Sequence, residues 1–322
     1  MSVGRYSLIV FVQIVILTGL YGQQTPQISH YMFNMQMYNP ASAGFTNSIV
    51  ASGIHRQQWY GMDGNPQTTI FSVDAPIRAI NSGVGLNFIN DRIGFFSSTT
   101  IQLAYNYQMP FLDGRLGMGI HLGMNNMGIQ MTEMRPPSGG SGPGSDATLQ
   151  GLDDVSGFLF DFGLGLFYSV ADQYEIGISL GHINQPRFDG SDGRPEVFRQ
   201  RRVLNISGNY NFSLSMFPRI DFVPSTLIKT DFTTMQIDLS VMGVFDRRFW
   251  GGLSYRWGDA IVVFGGLHLQ QFPLQLGIAY DIATNWMSRA SSIGGGFEIF
   301  ARYSFNLAVD RVPQSHRNSR FL

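Results

Sequence analysis

The residue types that can do chemistry are thinly spread along this 322-residue chain. It has no cysteine, so it offers no disulfide, no thiolate nucleophile and no lipid-modified cysteine anchor. The six histidines are His30, His55, His121, His182, His268 and His316, and no two stand four apart. Without thiolates a metal would need clustered histidine and carboxylate ligands, and the spacing suggests none. No HExxH, GxSxG or P-loop pattern occurs. Gly117 and Gly119 begin a GxG, but inside an alternating stretch that reads as a small-residue strand face rather than a dinucleotide loop. His121 and Asp161 fall on polar faces of neighbouring segments, where a shared hydrogen bond inside a lumen is a better reading than catalysis. Asp189 to Gly193 has a calcium-loop flavour, yet the same composition makes an ordinary solvated turn. The chemistry-bearing residues therefore predict a protein that is not an enzyme and needs no cofactor or metal.

The elements that hold these residues have period two, the mark of strands with two unlike faces. Ile101, Leu103, Tyr105 and Tyr107 alternate with Gln102, Ala104, Asn106 and Gln108. Phe158, Phe160, Phe162, Leu164 and Leu166 alternate with a face that carries Asp161, Gly163 and Gly165. Seven segments alternate clearly: 99–109, 116–125, 158–168, 174–181, 235–241, 248–257 and 274–281. Weaker ones complete the set at Ser48–Arg56, Thr68–Ala75, Gly83–Asp91, Val203–Phe212, Arg219–Lys229, Ala260–Leu269 and Gly296–Phe305. The total is about 14, the even number that a closed bacterial barrel requires, at lengths near the ~9–11 residues that span a bilayer when tilted. Charged residues make up 13% of the chain, against ~25% in soluble domains. The net charge of -1 leaves no basic field for nucleic acid. The fold class predicted is all-β: a transmembrane antiparallel β-barrel of about 14 strands, of outer-membrane type, with a Gly-rich soluble sandwich as the alternative.

The connections give an independent sign. With the first strand running outward, the long ones (57–67, 128–157, 183–202 and 282–295) fall on one side. Short ones (76–82, 110–114, 171–173, 213–218, 245–247 and 270–273) fall on the other. Outer-membrane barrels keep long loops outside and short turns in the periplasm. Two outer connections, near Thr230–Thr233 and Gly258–Asp259, are short and break the pattern. Trp59, Tyr60, Phe95, Phe96, Trp250 and Trp257 lie near strand ends, where they suit interfacial girdles. The Gly/Pro-rich stretch 136–144 cannot bury a core.

Residues 1–22 read as a signal peptide, with Arg5 before an apolar stretch Leu8–Leu20 that is too short to span as a helix. The organisation expected is signal peptide 1–22, N-terminal periplasmic segment 23–47, barrel 48–305 and tail 306–322. Export by a cleaved signal peptide places the protein in the outer membrane. Glycines on the polar faces (Gly117, Gly119, Gly123, Gly163, Gly165, Gly177, Gly181 and Gly277) either bend the sheet or make room for another segment packed inside, which would plug the lumen.

One resemblance rests on specific stretches: Tyr31-Met32-Phe33-Asn34 followed by Tyr38-Asn39-Pro40-Ala41-Ser42-Ala43-Gly44, then Gly53-Ile54-His55-Arg56-Gln57-Gln58-Trp59-Tyr60-Gly61, and later Ser254-Tyr255-Arg256-Trp257-Gly258-Asp259. With these the mature chain resembles the PorP/SprF family of Bacteroidetes membrane proteins over nearly its whole length. The long loop 128–157 and the tail beyond Phe305 depart from the family pattern. The resemblance implies a non-enzymatic outer-membrane component of the type IX secretion and gliding machinery. It would support export or surface attachment of a cognate secreted adhesin-like protein with a C-terminal sorting domain, alongside periplasmic or motor subunits. A passive porin-like solute channel is the alternative, and an outer-membrane hydrolase the third reading. Candidate partner contacts are Tyr31, Phe33, Asn39 and Pro40, in a segment expected to dock at the periplasmic mouth, and His55, Arg56 and Trp59, where the first strand meets its outer loop. For both groups a structural role, packing on the barrel wall or anchoring the loop, is the competing reading.

Overall fold

The structure is a computed structural model that describes residues 26–130, 154–189, 196–269, 271–284 and 295–306. The signal peptide, the Gly/Pro-rich stretch 136–144, the turn at Gly190–Gly193 and the tail beyond Asn306 lie outside the described residues.

Fourteen strands form the wall: β1 (Ser48–Gln57), β2 (Gln67–Ile77), β3 (Ser82–Ile93), β4 (Phe96–Phe111), β5 (Gly114–Ile129), β6 (Val155–Val170), β7 (Tyr174–Gly181), β8 (Val203–Tyr210), β9 (Ile220–Thr230), β10 (Met235–Phe245), β11 (Phe249–Arg256), β12 (Ala260–Leu269), β13 (Leu274–Ala283) and β14 (Gly296–Asn306). Each pairs antiparallel with the next in sequence, and β1 closes the ring on β14 from Ser48↔Asn306 to Gln57↔Phe297. All fourteen predicted segments are present. Their limits move by a few residues, most in β4, β5 and β6, which run to 16 residues each. A two-stranded hairpin, Arg187–Asp189 with Glu196–Arg199, stands on the connection between β7 and β8. No helix among the described residues is long and apolar enough to cross a membrane; the strands do the crossing.

The two faces decide where this ring can live. Along β6 the outward Phe158, Phe160, Phe162, Leu164 and Leu166 are exposed, while Leu159, Asp161 and Phe167 between and beyond them are buried inside. The same inversion repeats around the wall, with Leu103, Tyr105, Leu122, Ile178, Val241, Leu253 and Ile278 all outward. In water this would be a continuous apolar patch far beyond the few hundred Å² that soluble monomers show. In hydrocarbon it is the expected lipid face, and closing the ring leaves no strand edge unpaired.

The inside is occupied. The chain from Pro26 enters at the end carrying the long connections and descends through the lumen in three single 3-10 turns (Tyr31–Phe33, Met35–Met37, Pro40–Ser42). It reaches the short-turn end at Gly44–Asn47, where β1 begins. Ser29 and His30 sit level with Arg56, one residue from the outer end of β1, whereas Ala43 and Gly44 sit beside Gly83 and Asp74 near the inner ends of β2 and β3. This corrects the expectation of a segment docked at the periplasmic mouth. Residues 28–45 carry too many bulky apolar side chains to be left in water, and the lumen wall supplies a matching apolar surface. The inward side chains are accordingly more than a polar lining, since Ile54, Ile70, Leu227, Val262, Phe264 and Phe300 face the segment.

This path fixes which residues are reachable from which side. Because the chain has no cysteine, Pro26→Cys should react with a membrane-impermeant maleimide on intact cells, whereas Asn47→Cys should react only after the outer membrane is permeabilised. The reverse labelling pattern would show that the segment runs the other way.

Candidate functional site

The outer half of the lumen is organised by buried charge. Glu298, on β14, accepts hydrogen bonds from the backbone N–H groups of Ser29 at 2.7 Å and His30 at 2.9 Å, and from His30 Nδ1 at 2.6 Å. Arg56, on β1, donates to Ser29 Oγ at 2.6 Å and to Glu298 at 3.3 Å, and pairs with Asp281 on β13. Asp281 is shared with Arg256 of β11 at 2.9 Å, and Arg256 also holds Asp238 of β10 at 3.0 Å. Arg56, Arg256 and Glu298 are each essentially inaccessible. Charges removed from water are tolerated only when paired and fully hydrogen-bonded. Two guanidiniums against three carboxylates, with the segment's N–H groups taking up further oxygens, meet the pairing condition, while Arg56 Nε and His30 Nε2 are left without a hydrogen-bond partner among the described residues.

The rest of the segment is held by two kinds of wall. On the β9–β14 side the fit is aromatic. His30 stacks on Phe300 at 5.2 Å, Phe33 lies on Trp250 at 4.8 Å and on Phe300 at 5.1 Å, and the Tyr31 hydroxyl contacts Ser225 and Ser240 at 3.2 and 3.0 Å. On the β3–β7 side it is close backbone approach. A Cβ at Gly83 would come within 2.0 Å of the Ala43 carbonyl oxygen, and one at Gly119 within 2.5 Å of Ala41. Asn39 Nδ2 donates to the Leu166 carbonyl at 2.8 Å while its Oδ1 caps the Pro40–Ser42 turn through Ala41 N–H at 3.0 Å. Ser179 and Asn205 both donate to the Tyr38 carbonyl, at 2.6 and 3.1 Å. Arg115 donates to the Phe45 carbonyl at 2.6 Å near the inner end. An irregular backbone at membrane depth needs such partners, because no lipid can supply them.

The expectation of a second segment packed against the polar-face glycines is met at Gly117, Gly119, Gly165 and Gly177; Gly277 makes room chiefly for the Trp250 ring, and Gly181 meets only ordinary contacts with other wall residues. Gly123 and Gly163 instead make room for Asp161 and His121, which lie 3.1 Å apart as a buried pair. Of the seven candidate contact residues, Tyr31, Phe33, Asn39, Pro40 and Arg56 are brought together inside the barrel, and all but Phe33 are fully buried. His55 faces outward beside Thr69 at 2.9 Å, and Trp59 is half-buried on the outer loop in a left-handed conformation, φ 53°. Trp250, grouped above with the interfacial aromatics, points inward, where Gly266 and Gly277 leave space for its ring. Sequence reasoning did not single out Glu298, Asp281 or Asp238. Their signal was a carboxylate on the inward phase of a two-faced strand. Among the described residues no group of three or more His, Cys, Asp or Glu side chains is placed to hold a metal ion.

Fold and site together define an outer-membrane β-barrel whose lumen is filled by its own N-terminal segment. The profile of the type IX secretion system membrane proteins PorP/SprF matches residues 20–303, and the chain belongs to that family. Solved structures similar to it include a Pseudomonas aeruginosa FadL homologue (13% identity, 88% of this chain and 96% of that one, TM-score 0.47). The Pseudomonas putida toluene transporter TodX is another (10%, 88% and 95%, TM-score 0.49), as is the Acinetobacter baumannii outer membrane protein Omp33 (7%, 80% and 98%, TM-score 0.47). No curated protein matches the chain.

Two substitutions separate the clamp from the packing. Arg56→Met leaves Asp281 and Glu298 short of a cation and should cost about 3–5 kcal/mol, read as a lower temperature for the heat-induced mobility shift on gels. Gly119→Val overpacks the segment, where such changes cost about 1–3 kcal/mol. It should leave the barrel folded but make residues 28–45 protease-sensitive. An unchanged mobility-shift temperature for Arg56→Met would put that residue back among partner contacts.

Proposed function

We propose that this protein works as a non-enzymatic scaffold of the type IX secretion and gliding machinery in the outer membrane, supporting export or surface attachment of a cognate adhesin-like protein. As a member of the PorP/SprF family it is a type IX secretion system membrane protein; the role with one secreted partner is our reading. Residues 1–22 would act as a cleaved signal peptide. The observation that carries the proposal is the filled lumen. Ile28 to Phe45 are tied to wall strands on every side, and the ion pairs and glycine contacts described above leave little room for a solute path. A protein whose pore is closed by its own chain has its outer loops, inner rim and lipid face left for work. Those surfaces suit holding a second protein. The long connections at the outer end and the hairpin at Arg187–Arg199 offer contact area of that kind.

A passive solute channel is the competing reading, and the two make opposite predictions. Reconstituted in planar bilayers, the wild-type protein should show conductance near zero, while deletion of Gln27–Asn34 should leave a heat-modifiable barrel that conducts. In cells the same deletion should stop surface display of the adhesin, and native pull-down of the wild type should recover a large surface protein or secretion subunits. A large, stable wild-type conductance, or a pull-down without either class of protein, would overturn the scaffold role.

A further inference from the structure

The lumen is filled unevenly. Between the outer part of the segment and strands β3 to β8 there is a cavity of about 500 Å³. Pro26, Met37 and Tyr38 form its inner wall, and Asp91, His182 and Phe96 stand on the opposite side. That volume lies within the ~300–1,000 Å³ of ordinary ligand sites, and it lies at the end we assign to the outside.

One carboxylate of its lining has no cation beside it among the described residues. Asp91 accepts from Thr68 Oγ1 at 2.5 Å through Oδ1, and among the described residues no cation pairs with it. Asp161 Oδ2 lies 3.1 Å from His121 Nε2 and 2.8 Å from His182 Nδ1. This cluster is built into the wall: a Cβ at Gly123 would meet Asp161 Oδ1 at 1.8 Å, and one at Gly163 would meet the His121 ring at 2.1 Å. Two cations stand close: Arg201, which also lines the cavity, and Lys229 behind Tyr38. Arg201 donates to Thr233 Oγ1 at 2.6 Å and leans toward Asp231 at 3.9 Å. Lys229 lies against the Tyr38 ring, 5.6 Å from its centre. Arg56 and Arg256 are paired with Asp281, Glu298 and Asp238. A recess whose wall holds a carboxylate without a paired cation, between low-dielectric walls, focuses that charge on an incoming cation.

We propose that this outer cavity is a binding site for a basic side chain, arginine or lysine, on a segment of the exported protein that the barrel holds. The proposal rests on the scaffold reading above and names the chemistry of its partner. The open oxygen of Asp91 takes the charge. Met37, Tyr38 and Phe96 take the aliphatic stem, in the way long basic side chains cover apolar surface.

The test uses the full-length protein in detergent and a fluorescent pentapeptide, Gly-Ser-Arg-Ser-Gly, against the same peptide with neutral, isosteric citrulline in place of arginine. The arginine peptide should bind about tenfold tighter or more, as close charge pairs at interfaces give. Asp91→Asn should reduce that ratio to about one, while Asp91→Glu, which keeps the charge, should retain it. Heat-modifiable mobility checks that each variant is folded. Equal binding of the two peptides, no binding of the arginine peptide at millimolar concentration, or an arginine preference that survives in Asp91→Asn would overturn the site. A pull-down without a partner, alongside an intact arginine preference, would sink the scaffold role and leave the site standing.

Discussion

Glu298 takes hydrogen bonds from two consecutive backbone N–H groups of a segment that belongs to no strand, and Arg56 bridges that carboxylate to Asp281. Much of the architecture follows from the problem this contact solves. A strand wall satisfies its own backbone by pairing, but a chain coiled in single turns inside the ring cannot. Each N–H and C=O left open at membrane depth would cost a few kcal/mol. The wall therefore places polar side chains opposite the segment's backbone groups: Glu298 at the top, Ser179 and Asn205 at Tyr38, Asn106 at Pro40 and Ala43, Asp74 at Gly44, Arg115 at Phe45. The charges that give these contacts strength then need counter-ions, and Arg256 with Asp238 completes the set.

The segment and the wall also match by size. Residues 28–38 are aromatic or methionine-rich and meet an apolar wall on β9 to β14, β1 and β2. Residues 39–44 are mostly small and, with Phe45 over Gly117, meet the glycine wall of β3 to β7. The division is forced by geometry, since a ring of fixed diameter can admit bulk on one side only where it gives space on the other. A glycine in a strand interior weakens it, so glycines concentrated on one phase of neighbouring strands carry a cost that close approach of a second backbone explains better than bending does. Gly123 and Gly163 serve the same purpose for a different tenant, the His121–Asp161 pair.

Most of the wall was legible in the sequence because its signal is local. Alternation of Phe158 to Leu166, or of Ile101 to Tyr107, needs only a strand with unlike sides, and connection lengths order the two ends. The strands' contact partners then follow from sequence order, since each pairs with its neighbour. The lumen was only half legible. The polar-face glycines indicated an inner occupant, and Tyr31 to Tyr38 showed bulk without a strand period, but nothing local said that the two belong together or which way the segment runs. That depends on contacts such as Ser29 to Glu298, separated by 269 positions. Trp250 was misplaced for a related reason: its neighbours Arg248 and Phe249 suggest a strand end, while its depth is set by Phe33, Gly266 and Gly277 from distant parts of the chain. Arg56 falls in one of the stretches that carry the family resemblance, and the resemblance alone cannot distinguish a residue that touches a partner from one that holds the fold; its burial beside Asp281 does.

In this barrel residues 28–45 occupy much of the interior. Its surfaces divide into an apolar belt, an inner rim with short turns, and an outer end with long connections and a half-open recess. The belt is covered by lipid in any outer-membrane barrel, and the inner turns are too short to present much shape. The outer end is left with the long connections, the hairpin at Arg187–Arg199 and the carboxylates of the recess. The segment lies between that end and the rest of the molecule, with its first described residue in the recess wall and its last joined to β1 at the inner rim. The physical link between the two rims is therefore a continuous backbone held by charge at one end and by close packing at the other.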